Sequence, residues 1–323
     1  MTGVAAMIIL LAGCAASVES PRVVDAPSST PPPPTATSTP VARATATPTR
    51  PPRPTPTAAP PTAASPTAAS PTPPGINGVP NESIFVMSAA ARRRVLEIFA
   101  AGQELGRNPR AFSKVGDSTI QLPYFLGRFD GDDYALGDYA YLQDTIDYYA
   151  GSFARDGQAV RKGFHSWTVF NPTWADKEAC EPNEGPLPCE FRVHNPAVLL
   201  IRLGANDVIP AGAFEKNLRA ILDYSIENGV IPVLGTKPDR NEGGDQNNAV
   251  IRKLAAEYTL PLWDFDALAN TLPDRGLGAD KVHLTSFPPH DYTQPQAFER
   301  GHPVHNLSAL IVLDKIRRTT AGE

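Results

Sequence analysis

In the C-terminal three quarters of the chain, short apolar runs bounded by Gly, Asn or Asp alternate with stretches whose apolar residues recur at helical spacing. The clearest run, 196–203, is nearly continuously apolar and predicts a central strand covered on both faces. The stretch 211–227 then predicts an amphipathic helix that Asn228-Gly229 closes. Repetition of this unit indicates βαβ crossovers and an α/β fold with a mostly parallel sheet. The other predicted strands are 111–115, 158–163, 230–235 and 262–265, and the other predicted helices are 84–107, 139–149, 245–258 and 304–318.

The front of the chain has a different composition. Of the 35 prolines, 18 lie between Pro21 and Pro74, among Thr, Ala and Ser. Such a segment cannot bury enough apolar surface to offset the entropy that ordering would cost. We therefore predict a disordered tether over 15–75 and one folded domain over 76–323, which is long enough for a sizeable core.

Ahead of the tether, residues 1–14 form an apolar run that is too short to span a bilayer and is typical of an export signal. Its end, Leu11-Ala12-Gly13-Cys14, resembles the lipobox of bacterial lipoproteins. The resemblance implies that Cys14 becomes the lipidated first residue of the mature chain. The expected location is extracytoplasmic, with the membrane as a partner through the lipid on Cys14. An unlipidated secretory signal is the alternative.

The two remaining cysteines, Cys180 and Cys189, flank a loop rich in proline, glycine and acidic residues. In an exported protein this arrangement predicts a disulfide between them. A zinc site needs more ligands at shorter spacing, so we expect no metal and no cofactor. The net charge of −5, with no basic block, gives no indication of a nucleic-acid partner.

Three polar blocks come after predicted strands: Gly116-Asp117-Ser118, Gly204-Ala205-Asn206-Asp207 and, after the last predicted strand, Asp280-Lys281-Val282-His283. A serine hydroxyl needs a base to become a nucleophile, and an imidazole base needs a third group to hold its tautomer. An Asp three residues before a His can turn its carboxylate back to Nδ1 and leave Nε2 facing the serine. The candidate oxyanion donors are the N–H of Ser118, the N–H of a glycine ending a neighbouring strand, and the amide of Asn206.

These blocks, in this order, resemble those of the SGNH (GDSL-type) hydrolase superfamily. The resemblance implies a three-layer α/β/α sandwich, catalytic Ser118, His283 and Asp280, and oxyanion donors Ser118, Gly163 and Asn206. Gly157 competes with Gly163, because Arg161 stands where the family usually has an asparagine. The α/β-hydrolase alternative fails, since the chain contains no Gly-x-Ser-x-Gly.

The sequence therefore predicts an exported, lipid-anchored serine esterase acting on small-molecule or carbohydrate esters, with short acyl groups as plausible substrates. A non-catalytic surface binding module on the same fold and an O-acyltransferase are the alternatives. Two further histidine sites are interpreted structurally. His302 and His305 indicate the start of a helix more than a metal pair, and His290 beside Asp291 is interpreted as loop surface.

Overall fold

The structure is a computed structural model, and it describes residues 75–323. The predicted signal peptide, the lipidation site Cys14 and all of the tether except Gly75 lie outside the described residues. Within 75–323, no helix has the length and apolar character needed to cross a membrane.

A five-stranded sheet forms the centre of the domain, and a small two-stranded hairpin precedes it. The strand order in the large sheet is β3-β7-β6-β5-β4, in which β4 to β7 are parallel and the edge strand β3 is antiparallel to β7. The strands are β1 (Gly75–Ile76), β2 (Val79–Pro80), β3 (Phe85–Val86), β4 (Asn108–Gly116), β5 (Pro196–Arg202), β6 (Ile231–Gly235) and β7 (Leu262–Trp263).

Helices cover both faces of this sheet, since all seven residues of β5 are buried. The helices α5 and α6 pack on each other in one layer, whereas α2 and α3 both contact α8 in the other. The predicted three-layer α/β/α sandwich with a mostly parallel sheet is confirmed. The helices are α1 (Asn81–Ile84), α2 (Ala89–Glu104), α3 (Gln143–Tyr148), α4 (Pro186–His194), α5 (Ala211–Glu227), α6 (Gln246–Glu257), α7 (Phe265–Ala269) and α8 (Gly301–Ala321).

The direction of winding reverses at β4. From this strand the chain first reaches Val160, which makes a single parallel bridge to Gly116. It then returns to β5, which pairs with β4, and continues through β6 to β7. Ligands of open α/β sheets bind at such a reversal, outside the carboxyl ends of the strands. The end of β4 is therefore where the topology places a site.

Most predicted elements are confirmed within two or three residues, including the strand at 196–203 and the helix at 211–227. The continuous helix predicted over 84–107 is wrong, because Phe85 and Val86 pair with β7 as an edge strand. A new helix then starts at Ala89, where the Ser88 side chain accepts a hydrogen bond from Ala91 N–H. The predicted strand at 158–163 is reduced to the bridge at Val160.

The segment 164–195, for which the sequence predicts no helix or strand, ends in the helix α4. Prolines at its start concealed the helix, although proline suits the first helical turn, where N–H groups have no intrahelical acceptor. The predicted disulfide between Cys180 and Cys189 is present, and it joins this helix to the loop before it.

Candidate active site

Ser118 lies immediately beyond β4, at the first residue of a 3-10 turn over Ser118–Ile120. Gly116 permits this sharp exit, because a Cβ there would lie 2.4 Å from the carbonyl oxygen of Arg202 on β5. Asp117 is fully buried and caps the turn, since its Oδ1 accepts the N–H of Thr119 at 2.9 Å. The turn therefore holds the Ser118 hydroxyl at the carboxyl edge of the sheet, where it is partly exposed.

His283 and Asp280 occupy one short loop between α7 and α8. A bridge between Leu277 and Leu284 closes this loop, and Gly278 N–H donates to the His283 carbonyl at 2.7 Å. His283 Nε2 lies 2.9 Å from Ser118 Oγ, and His283 Nδ1 lies 2.7 Å from Asp280 Oδ2. The structure thus brings together the three residues predicted as a catalytic triad, and hydrogen bonds link Ser118 to His283 and His283 to Asp280.

The Asp280 carboxylate is fixed from both sides. Its Oδ1 accepts the backbone N–H groups of Val282 and His283 at 3.1 and 3.0 Å, while Oδ2 takes the imidazole. The hydrogen bond from His283, followed by these two backbone donors, lowers the pKa of Asp280 to about 2. Asp280 therefore remains ionised across the pH range in which an imidazole titrates.

Ser118, Gly163 and Asn206 are the predicted oxyanion donors. The Ser118 and Gly163 N–H groups have no hydrogen-bond acceptor within residues 75–323. Gly163 adopts a positive φ of 78°, and a Cβ built there would meet only open space. Asn206 Nδ2 donates to the Phe164 carbonyl at 3.0 Å, which ties its amide to the loop of Gly163. Gly163 and Asn206 are thus neighbours, although neither lines the cleft that contains Ser118.

The competing glycine, Gly157, lies against a buried carboxylate. A Cβ at Gly157 would lie 2.3 Å from the carboxylate of Glu190, which is wholly buried. That carboxylate accepts hydrogen bonds from Ser113 Oγ at 2.5 Å, from Gln158 N–H at 2.6 Å and from Arg155. Gly157 therefore leaves room for the buried Glu190 carboxylate, which fixes the chain at Arg155 and Gln158.

Asp207, the last residue of the second block, braces the loop that carries Gly163. Its buried carboxylate accepts Ser166 Oγ at 2.7 Å and Ser166 N–H at 3.0 Å. Burial raises the pKa of Asp207, while the Ser166 hydrogen bonds oppose that shift. Asn206 and Asp207 together hold two points of one loop, at Phe164 and at Ser166.

Buried charged groups lie beneath the 3-10 turn that begins at Ser118. Arg202, at the end of β5, is almost completely buried, and its Nε donates to His305 Nε2 at 3.3 Å. Burial lowers the pKa of Arg202 and raises that of Asp117, and the attraction between these two groups opposes both shifts. His305 itself is buried among aromatic rings, including Trp263 and Phe265. His302 and His305 lie in the first two turns of α8, which begins at Gly301. The predicted helix start at these histidines is therefore confirmed.

Ser118, His283 and Asp280 open into a cleft of about 410 Å³. Among residues 75–323, its other walls are mostly polar or aromatic, and two aliphatic side chains line it. Several lining residues were not predicted as site residues, and Tyr124 and His302 are among them. The signal available was their position: Tyr124 follows the Gly-Asp-Ser block within one loop, and His302 begins the helix after the Asp-x-x-His block.

One histidine was interpreted wrongly. His290 is not loop surface but is buried, with its Nδ1 3.4 Å from the Pro288 carbonyl and its Nε2 hydrogen-bonded with the Asn306 amide. Burial lowers the pKa of His290 to about 4, so the ring is neutral. Its partner Asn306 lies on α8, and the tertiary packing of this helix could not be inferred from the residues around His290 alone.

The sequence matches no model of a known protein family and no curated protein. Among solved structures, the chain is similar to a G-D-S-L family lipolytic protein from Desulfitobacterium hafniense DCB-2, with 14% identity, a TM-score of 0.39 and coverage of 62% of this chain and 98% of that one. It is also similar to the psychrotrophic esterase EstA from Pseudoalteromonas sp., with 16% identity, a TM-score of 0.42 and coverage of 64% and 97%.

A third similar structure is a mutant of Axe2, an acetyl-xylooligosaccharide esterase from Geobacillus, with 16% identity, a TM-score of 0.37 and coverage of 63% and 93%. With TM-scores below 0.5, these similarities carry no weight for the function.

Proposed function

We propose that the protein is a serine hydrolase of the SGNH type that cleaves carboxylic esters through an acyl-enzyme. The observation that carries this proposal is the continuous path from Ser118 Oγ through the His283 ring to Asp280, with links of 2.9 and 2.7 Å. Both links are within the reach required for a nucleophile, its base and the group that orients the base. The same path is not needed to stabilise a surface loop.

In the proposed reaction, Ser118 Oγ attacks the carbonyl carbon while its proton moves to His283 Nε2. The resulting imidazolium gives this proton to the alkoxide oxygen of the leaving alcohol as the C–O bond breaks. Water, activated by the same nitrogen, then attacks the acyl-enzyme and releases the acid. Asp280 keeps the neutral ring protonated on Nδ1 and stabilises the imidazolium that forms.

The negative oxygen of the tetrahedral intermediate is assigned to the Ser118 and Gly163 N–H groups and the Asn206 amide. Free backbone donors at Ser118 and Gly163 support this assignment, as does the hydrogen bond that orients Asn206. Fixed donors of this kind stabilise charge as it develops and need no reorganisation. Loss of one donor typically raises the barrier by about 3 to 4 kcal/mol.

Short acyl groups on polar alcohols, including O-acyl carbohydrates, are the proposed substrates. A long fatty acyl chain needs an extended apolar channel, whereas in the described part of the chain Leu122 and Leu284 are the only aliphatic residues lining this cleft. Half of the His283 side chain is exposed, so water has access to the base for the second step.

Turnover of p-nitrophenyl acetate by the purified protein tests the enzymatic proposal. We expect a burst of p-nitrophenol, close to one equivalent per protein, followed by steady hydrolysis, because an acyl-enzyme must form and then break down. Release of p-nitrophenol no faster than in buffer would instead support the non-catalytic binding module.

We further propose that the protein works outside the cytoplasm, attached to the membrane through a lipid on Cys14. The lipobox-like end of residues 1–14 supports this location, as does the disulfide, a feature of oxidising compartments. In bacterial cells that express the full chain and are fed labelled palmitate, we expect label on the protein and none on Cys14→Ala. Equal labelling of the two forms would rule out this anchor.

A further inference from the structure

We propose that Tyr124, supported from beneath by His302, forms a binding platform for the alcohol part of the substrate, and that this alcohol is a pyranose sugar. This inference rests on the proposed esterase function and names the substrate class of the same cleft.

Tyr124 is an exposed aromatic side chain at the active cleft. It is 52% exposed, and it lines the cavity that contains Ser118 and His283. Exposed aromatic surface beside a cleft is stabilised when a ligand covers it. An aromatic ring with a polar hydroxyl at its edge suits a partner that has both an apolar face and polar substituents.

The loop that carries Tyr124 is held in place by the core of the domain. Asn306 Nδ2 donates to the Tyr124 carbonyl at 2.9 Å, and Asn306 Oδ1 accepts Leu126 N–H at 2.9 Å. Buried His290 hydrogen-bonds with the same amide. The Tyr124 backbone is therefore fixed before any ligand arrives, which reduces the entropy lost on binding.

His302 packs against one face of the Tyr124 ring. The two ring centroids lie 5.1 Å apart and the planes are inclined by 18°. His302 is 5% exposed, it lines the cleft, and its buried Nδ1 has no hydrogen-bond partner within residues 75–323. Burial lowers its pKa to about 3, so this ring adds no positive charge beside the catalytic imidazole. It therefore stacks on Tyr124 as a neutral ring.

The remaining polar walls suit hydroxyl groups. Gln121, Lys162 and Ser286 line the same cleft and can exchange hydrogen bonds with a ring of hydroxyls. A pyranose combines such hydroxyls with an apolar face of C–H groups, which matches an aromatic platform surrounded by polar side chains. A cleft of about 410 Å³ is within the usual size of sites for small ligands.

The experiment compares kcat/KM for three acetate esters: an O-acetylated methyl glucoside, phenyl acetate and ethyl acetate. The quantity measured is the ratio of the sugar ester to ethyl acetate, for the full chain and for Tyr124→Ala, Tyr124→Phe and Tyr258→Ala. Tyr258 is the matched control, a partly exposed tyrosine that precedes β7, and β7 lies three strands away from β4, the strand that leads to Ser118.

We expect Tyr124→Ala to lower this ratio about 5- to 10-fold, the size of an aromatic stacking contribution, and Tyr124→Phe to retain most of it. Tyr258→Ala leaves the ratio unchanged. An unchanged ratio in Tyr124→Ala overturns the platform, and so does a loss confined to phenyl acetate, which would indicate an aryl site. If the unmodified protein cleaves none of the three esters, the esterase proposal fails, whereas cleavage with no effect of Tyr124→Ala removes the sugar platform alone.

Discussion

Replacing Ser118 by alanine is expected to lower the rate of ester hydrolysis by at least about 10³-fold. The side chain removed is the only group at which the proposed acyl-enzyme can form. His283 and the oxyanion donors remain in Ser118→Ala, so a small residual rate through direct attack of water is expected. The measurement is kcat for p-nitrophenyl acetate under steady-state conditions.

This variant should fold like the unmodified protein. The Ser118 hydroxyl hydrogen-bonds with partly exposed His283, and the turn itself is held by Asp117 and by backbone bonds. We therefore expect thermal unfolding within about 2 °C of the unmodified midpoint. Ser83→Ala, at an exposed serine that does not line the cleft, serves as the matched control and should retain full activity. Similar rates for Ser118→Ala and Ser83→Ala would contradict the assigned nucleophile.

Asp280→Asn is expected to lower kcat by about 10²- to 10⁴-fold with little change in stability. An asparagine amide placed against His283 Nδ1 favours the tautomer whose proton is on Nε2, so the ring can no longer accept the proton of Ser118. It also removes the charge that stabilises the imidazolium. Because both side chains are about half exposed, water can replace part of this interaction, which sets the lower end of the range.

Asp274→Asn is the control for this variant, since Asp274 is an exposed acid of the same region whose partner is Lys281 at 3.4 Å. It should retain kcat. If Asp280→Asn retained kcat as well, the Asp280 carboxylate would have no role in catalysis and would only stabilise its loop.

The pH profile of kcat/KM follows from the same pair. The base must be neutral, so activity should rise between about pH 5 and 8, where imidazoles lose their proton. The pKa of Asp280 is lowered to about 2, so this carboxylate is already ionised throughout that interval and contributes no second acid limb within it. In Asp280→Asn the plateau of kcat/KM should be much lower, because the charge that stabilises the imidazolium is lost. A profile that is flat from pH 5 to 8 would exclude His283 as the base.

The residues of the proposed catalytic site could be predicted because each belongs to a short block whose spacing is a local property. Asp280 and His283 meet within one loop, and Ser118 follows directly from a strand that its apolar residues reveal. Parallel strands then bring the blocks to one edge of the sheet. The fold class was predictable for a similar reason, since β5 and α5 have clear periodicity.

The features that escaped prediction depend on partners distant in sequence. Phe85 and Val86 fit a helical pattern, but pairing with β7, more than 170 residues later, makes them a strand. His290 is polar and lies in a loop, yet Asn306 and burial make it structural. The pairing of Tyr124 with His302 in the cleft depends on where α8 packs, which no local pattern encodes.

The most direct test of the account is to identify the residue that an alkyl fluorophosphonate modifies. Such a reagent bonds covalently to a serine only where a base has activated the hydroxyl, so it reports the Ser118, His283 and Asp280 arrangement itself. After digestion and mass spectrometry, the phosphonate adduct is expected on Ser118, and labelling is expected to disappear in Ser118→Ala. An adduct on a different residue, or no adduct on the folded protein, would contradict the proposed active site.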